Sequence, residues 1–319
     1  MRLVFCGTPE FAVPMLQRLL EEEEFAVEAV LTQPDRPKGR GLDAPASPVK
    51  IAALAAGIPI HQPRTVRAPE VSAWLAKLAP DAVVILAYGQ IIPANLLTIP
   101  RLGWINLHAS LLPKYRGAAP IAWAIANGES RSGLITMRID AGMDTGPILL
   151  QQELEIGADE TAPELSARMA EAGAPLVVET LRALQRDAIT PRAQDHAQAT
   201  YAPLLKRDHG RIDWTLPAAQ IYNRIRAFAP WPGAFTTFRG HRCHVWGRPA
   251  SADSPPSPVI AQQDATPGSL LERGDDLYVT CGSGTCLRIE AVQLEGRKRV
   301  TAREFLSGAR LSPAEKFGQ

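Results

Sequence analysis

The sequence predicts an α/β protein: a Rossmann-like doubly wound, mostly parallel sheet, followed by a smaller OB-like β-barrel. Three observations carry this. Over residues 1–188, short unbroken apolar runs alternate with segments of helical spacing, the pattern of a doubly wound sheet. A polar, aperiodic stretch follows over 189–208, and beyond it residues 209–319 read as short alternating strands separated by turns. A chain of 319 residues that is 46% hydrophobic exceeds what one core usually organises, so the break is expected to be a linker between two domains.

Taken in order, LVFCG (3–7), VEAVLT (27–32), AVVILAY (82–88), WINLH (104–108) and LITMRI (134–139) are β-branched and nearly continuous in apolar character. A strand covered on both faces needs no polar alternation, so all five read as buried parallel strands. EFAVPMLQRLLEE and PEVSAWLAKLA between them place apolar residues at helical spacing, and a further helix is expected over about 160–187. ITPRAQDHAQATYAPLLKRDHG lacks either period and marks the boundary. PAAQIYNRIRAF then reads as a helix, and GAFTTF, RCHVWG, DLYVTCG and GTCLRIEAVQL as strands of the barrel.

Formal net charge is +1, unevenly spread. Residues 1–190 hold 17 basic and 21 acidic side chains, and residues 209–319 hold 14 and 10, an excess of four positive charges that hints at an anionic partner for the second domain. The acidic run EEEE at 21–24 reads as a solvated helix end. Four cysteines with no C-x-x-C pair suit a reducing cytoplasm, not a disulfide framework. HRCH (241–244) with Cys281 and Cys286 matches no common zinc spacing, and no metal is expected. The apolar run at the start is too short for a secretory signal, and no apolar stretch is long enough to span a membrane, so neither is expected.

WINLH raises a question, because it closes an apolar run with Asn106 and His108. Two residues apart on a strand, they share a face, while Ile105 and Leu107 point to the other. At the carboxyl end of a strand in such a sheet they enter the ligand crevice. As satisfied polar groups capping the strand they would do nothing, and both readings stand at this point. RIDAGMDTGPIL adds Asp140 at another strand end and Asp144 in a loop between Gly142 and Gly146. An amide, an imidazole and a carboxylate converging on one crevice suit acyl transfer, in which an oxyanion forms and an amine sheds a proton. No G-x-S-x-G elbow or G-x-x-x-x-G-K-[ST] loop occurs, and GTPEF after the first strand lacks the G-x-G-x-x-G fingerprint. Covalent, NTP-driven and dinucleotide chemistry lose support accordingly.

Asn106, His108, Ser110, Leu111, Leu112 and Pro113, with Gly117 following, resemble the N-x-H-x-S-L-L-P signature of the folate-dependent formyltransferases. FCGTPEFAVP, TQPDRPKGRG, ASPVK, AYGQIIP, MDTGPIL, RIDW and IRAFAPWPG extend the resemblance over nearly the whole chain, to the branch acting on aminoacyl-tRNA. It implies transfer of a formyl group from 10-formyltetrahydrofolate to the α-amine of initiator methionyl-tRNA, for translation initiation, by a cytoplasmic monomer without metal or membrane partner. It implies that Asn106 and His108 hold the developing oxyanion, that Asp144 orients His108 and manages the proton, and that Ser110–Pro113 form the folate-binding loop. An α-amine of ordinary pKa, about 7.7 to 8.0, is substantially deprotonated near neutrality, so the site mainly positions and stabilises.

The same resemblance makes 1–188 the catalytic domain and 209–319 the tRNA-binding barrel. Its loop at 33–48, rich in proline and glycine, is expected to meet the acceptor end through Arg40, supported by Arg36 and Lys38. Leu42 and Asp43 depart from the lysines frequent there in the family, which weakens the loop's charge. Lys114 and Tyr115 stand where Arg and Trp are frequent. In the barrel, the run Arg297, Lys298 and Arg299 is the most concentrated phosphate candidate, with Arg239, Arg242 and Arg248 scattered around it. A folate hydrolase would keep Asn106, His108 and Asp144 but need no basic second domain. A catalytically silent tRNA-binding protein would hold the three polar groups only by accident.

Overall fold

A computed structural model describes residues 1–36, 44–250, 266–312 and 315–318. The chain forms two compact units. The first holds Met1–Pro120, Arg131–Glu155 and Glu164–Pro203; the second holds Ile121–Ser130, Ile156–Pro163 and Leu204–Gln319. Two short segments within the first 188 residues thus cluster with the second unit, and the stretch expected as a linker belongs to the first unit as far as Pro203.

In the first unit the elements run β1 (Arg2–Gly7), α1 (Val13–Glu21), β2 (Ala26–Leu31), α2 (Pro48–Ala55), β3 (Ile60–His61), α3 (Pro69–Leu78), β4 (Ala82–Leu86), α4 (Ala94–Leu97) and β5 (Trp104–His108). After α5 (Pro120–Ala126), which from Ile121 onward clusters with the second unit, come β6 (Arg131–Arg138), β7 (Ile148–Glu155) and α6 (Ala162–Gln185). The sheet order is β3-β2-β1-β4-β5-β6-β7. β1 to β5 pair in parallel, whereas β6 is antiparallel to β5 and β7 antiparallel to β6. The expected parallel strand at 134–139 therefore runs the other way. An apolar run encodes burial, not direction: Leu134, Ile135 and Met137 are buried whichever way the strand points.

Local chemistry fixes the helix starts. α2 opens with Ser47 as N-cap, its hydroxyl accepting from Lys50 N at 3.2 Å, and with Pro48 at the first helical position. Leu107 of β5 packs against Gly173 of α6, where an added Cβ would stand 2.3 Å from Leu107 Cδ2. Its cross-strand partner Thr136 meets Thr180 of α6 at 2.8 Å between hydroxyls. One face of β5 is thus sealed by α6. Asn106 and His108 lie on the opposite face, paired with Met137 and Ile135.

The second unit carries α7 (Ala218–Ala227), β8 (Phe235–Phe238), β9 (His241–Pro249), β10 (Leu270–Arg273), β11 (Asp276–Thr280), β12 (Cys286–Leu294), β13 (Val300–Thr301) and α8 (Ala302–Ala309). Its separate, all-antiparallel sheet has the order β10-β11-β12-β9-β8, with β13 on β12. The segment 315–318 stitches the two edges: Leu270 N donates to Glu315 O at 3.1 Å, and Gly318 N donates to Thr237 O at 2.9 Å. Between these bonds Phe317 is buried, its ring 5.7 Å from Trp214 and 5.8 Å from Phe238. Closing both edges removes the exposed backbone that invites aggregation. No described helix is long and apolar enough to cross a membrane.

Candidate active site

The site grows from the end of β5. His108 is buried, with Nε2 3.0 Å from Tyr115 O. A carbonyl only accepts, so that nitrogen carries a proton and donates, leaving Nδ1 to face Asp144 Oδ2 at 3.7 Å. Asp144 reaches this position because the β6–β7 hairpin loop folds back over the sheet. The loop turns on Asp140, whose Oδ1 accepts from Gly142 N at 3.0 Å and from the Thr145 hydroxyl at 2.6 Å. Gly146 then passes so close that an added Cβ would stand 1.8 Å from Arg138 O. Asp144 itself has φ 53°, a left-handed conformation that Asp tolerates better than most residues, and its Oδ2 accepts from Gly117 N at 2.7 Å.

Asn106 is half-buried beside Ile85 of β4 and Met137 of β6, and its side-chain amide has no partner among the described residues. It faces a cleft of about 290 Å³ with Asp144 at the same rim. The walls include the apolar residues Ile85, Ile92, Met137 and Ile139 and residues of two loops, Ala87–Gln90 and Asp140–Met143. An apolar slot with a few polar groups at one end suits a flat heteroaromatic ring presenting a reactive carbonyl. Asp140, expected at a strand end in the crevice, lines this cleft, and its carboxylate also structures the loop. β6 runs antiparallel, so its carboxyl end lies beside the start of β5.

Comparison with known proteins agrees with this geometry. The description "Formyl transferase" matches residues 1–181, and "Formyl transferase, C-terminal domain" matches residues 204–310. The chain belongs to the formyl transferase family. It is 53% identical to the methionyl-tRNA formyltransferase of Solibacter usitatus, covering 100% of this chain and 99% of that one. It is 50% identical to the methionyl-tRNA formyltransferase of Acidobacterium capsulatum, over 100% of both. Among solved structures, the N-formyltransferase of Helicobacter canadensis in complex with folinic acid and dTDP-3-aminofucose superposes with a TM-score of 0.63 at 18% identity, covering 90% of this chain and 98% of that one. At that identity the likeness is one of fold.

Within this formyl transferase the loop after β5 is held from inside. Ser110 is fully buried, its hydroxyl donating to Lys114 O at 2.6 Å. Leu111 lies over Gly133, where an added Cβ would be 2.4 Å away, and Leu112 joins Ile135, Met137 and Ile148 in a small core. The side chains of Ser110, Leu111 and Leu112 are thus engaged by the fold, and Pro113 is half-buried, so a ligand here would meet mainly backbone.

Sequence reasoning missed the support behind Asp144. Gln194 Nε2 donates to Asp144 O at 2.9 Å and Gly146 O at 2.7 Å, and Gln194 Oε1 accepts from Arg116 at 2.7 and 3.2 Å. Arg116, 3% exposed, also meets His196 Nδ1 at 3.0 Å. Tyr115, whose carbonyl holds His108, is pinned by donation from its N–H to the Thr200 hydroxyl at 2.9 Å. The expected linker is therefore, over 192–202, a strap bonded to the back of the site. No periodic signal could have revealed it, because it is held by isolated β-bridges, Ile148 with Arg192 and Arg116 with Tyr201, and by single polar side chains, none of which leaves a repeating apolar pattern.

The basic candidates separate. Lys38 and Arg40, with Leu42 and Asp43, lie outside the described residues. Arg36 is exposed on a cleft in the first unit. Arg297 and Lys298 are exposed on a groove over Phe238, Val292 and Phe305, whereas Arg299 stacks 4.1 Å over Trp246. Arg239 and Arg248 are occupied by Glu315 and Glu290, and Arg242 lies 4.5 Å over Phe235. The four cysteines are buried thiols, and burial pushes Cys243 and Cys281 up to about 12. Among the described residues no group of three or more His, Cys, Asp or Glu side chains is placed to hold a metal ion.

Proposed function

We propose that this protein transfers the formyl group of 10-formyltetrahydrofolate to the α-amine of methionine on initiator methionyl-tRNA. The observation that carries the reading is a cleft lined by both Asn106 and Asp144, with Asp144 3.7 Å from the His108 ring, in a chain alike over its full length to methionyl-tRNA formyltransferases. The folate ring system fits the cleft by shape and chemistry, its formyl oxygen reaching the Asn106 amide. As the amine nitrogen attacks, a bond forms from it to the formyl carbon, and the carbonyl electron pair moves onto oxygen. The Asn106 amide stabilises that charge, a donor of this kind being worth about 10² to 10³ in rate, and His108 adds a positive charge beside Asp144 once its Nδ1 has taken the amine proton. The bond to the folate nitrogen then breaks as the carbonyl re-forms. The amine proton leaves through His108 Nδ1 and Asp144, and the folate nitrogen takes up a proton.

In this reading residues 1–188 are the catalytic domain, 189–208 connect it, and 209–319 bind tRNA. The Ser110–Pro113 backbone borders the folate, and Arg36, Lys38 and Arg40 serve the acceptor end. Arg297, Lys298 and Arg299 meet phosphates farther along. The protein acts as a cytoplasmic monomer. Incubation with methionyl-tRNA and labelled formyl donor tests the reading: label is expected on the aminoacyl-tRNA. Release of label only as formate would establish hydrolysis instead.

A further inference from the structure

A second cleft, of about 470 Å³, opens at the carboxyl ends of β1, β2 and β4, where the strand order reverses. It shares Tyr88, Gly89 and Gln90 with the cleft that holds Asn106 and Asp144, so an occupant of one lies beside an occupant of the other. Its polar wall is built in a chain. Lys50 Nζ and Gln62 Nε2 donate to the Asp35 carboxylate, the second at 3.0 Å, and Gln62 also reaches Gln33 O at 2.9 Å. Gln33 Nε2 in turn donates to Tyr88 O at 3.0 Å. The Lys50 and Gln62 bonds hold the Asp35 carboxyl below the usual carboxylate range.

Several groups here are unmet by the fold. Gln33 Oε1 and the Tyr88 hydroxyl are buried without a hydrogen-bond partner among the described residues, and Tyr88 is only 2% exposed. Arg36 and Arg64 stand exposed at the mouth with no ion pair among the described residues. An acidic side chain just beyond the second strand is where doubly wound folds take a ribose hydroxyl. The first turn has no glycine-rich fingerprint for a pyrophosphate, and arginine side chains suit a single phosphodiester. The cleft thus has a hydroxyl acceptor, cations for one phosphate, and a shared wall leading to the catalytic groups.

Resting on the proposed acceptor, we infer that this cleft seats the 3′-terminal nucleoside of the aminoacyl-tRNA. Asp35 accepts a hydrogen bond from the ribose hydroxyl left free by the aminoacyl ester, and Arg64 meets the adjoining phosphate. The seat delivers the methionyl amine past Tyr88–Gln90 toward Asn106, and the free hydroxyl distinguishes an RNA end from a DNA end.

The test compares methionyl-tRNA with the same tRNA ending in 2′-deoxyadenosine, on the wild type and on Asp35→Ala. A hydrogen bond to a charged group contributes about 1.5 to 3 kcal/mol, so the wild type should lose about 10-fold or more in kcat/KM on the deoxy substrate. Asp35→Ala should lose a similar factor on the ordinary substrate and no longer distinguish the two. Arg64→Ala should raise KM for both tRNAs, with donor binding unchanged in each variant as the check on folding. Equal discrimination by the wild type and Asp35→Ala, or none by the wild type, overturns the seat while leaving the acceptor reading intact. Formylation of neither tRNA by the wild type overturns both.

Discussion

Asp144 gathers more constraints than its neighbours: a left-handed backbone, a bond to Gly117 N, and a position 3.7 Å from the His108 ring. Asp144→Asn keeps the shape, the tolerated φ and the acceptor for Gly117 while removing the charge. A fall in kcat of about 10² or more is expected, with folate binding and unfolding midpoint little changed. Unaltered turnover in rapid-quench assays would remove Asp144 from the chemistry. Two other imidazoles carry a pH dependence of stability. Burial holds His61, stacked on Trp74, and His244, beside Arg242, below the ordinary value of 6.5. A lowered imidazole pKa means that the fold prefers the neutral ring. Their contribution is whole above about pH 6.5 and is lost as pH falls below it. Urea midpoints should therefore drop between about pH 7.5 and about pH 5.5, and less steeply in His244→Gln. At this scale the sequence was most legible where side chains alternate. Asn106 and His108 announce their shared face, whereas no pattern shows that Arg239 and Arg248 are occupied by Glu315 and Glu290.

Between elements, the strap over 192–202 and the β6–β7 loop act as one device. Gln194 ties the Asp144 and Gly146 carbonyls to the buried Arg116 guanidinium, so Gln194→Ala both frees the loop and leaves a buried cation short of its acceptor. A loss of about 1.5 to 3 kcal/mol is expected, readable as a lower denaturant midpoint, together with a reduced kcat at saturating donor. A stability loss with kcat intact would mean that the loop keeps its geometry unaided. The elements that sequence resolves well are those with their own period: β1, β2, β4 and β5 are legible from apolar runs. β6 was found but its direction was not, since direction depends on the hairpin that follows. β7, with its exposed Gln151, Gln152 and Glu153, does not read as a buried run at all. The packing of Leu111 and Leu112 was not legible, because their partners, Gly133 and Ile135, lie on a strand more than 20 residues away.

At the scale of the molecule, two units each depend on a late segment. In the second, Phe317 fills the seam between the sheet edges. Phe317→Ala should cost about 3 to 5 kcal/mol, seen by calorimetry as a lowered transition. A change below about 1 kcal/mol would mean that 315–318 merely lies on the surface. In the first, the strap has a bearing on where the chain can be cut. A fragment ending at residue 188 contains every side chain assigned to the chemistry, yet it leaves Arg116 without Gln194 and the Tyr115 N–H without Thr200. A fragment ending at 203 restores both. The shorter piece should therefore be poorly soluble or loosely packed, with weak protection of the 115–117 amides in hydrogen exchange, and the longer one compact. The same asymmetry holds during synthesis on the ribosome: the groups that react emerge some 50 residues or more before those that align them, so the site becomes competent only when its last fastening has left the exit tunnel.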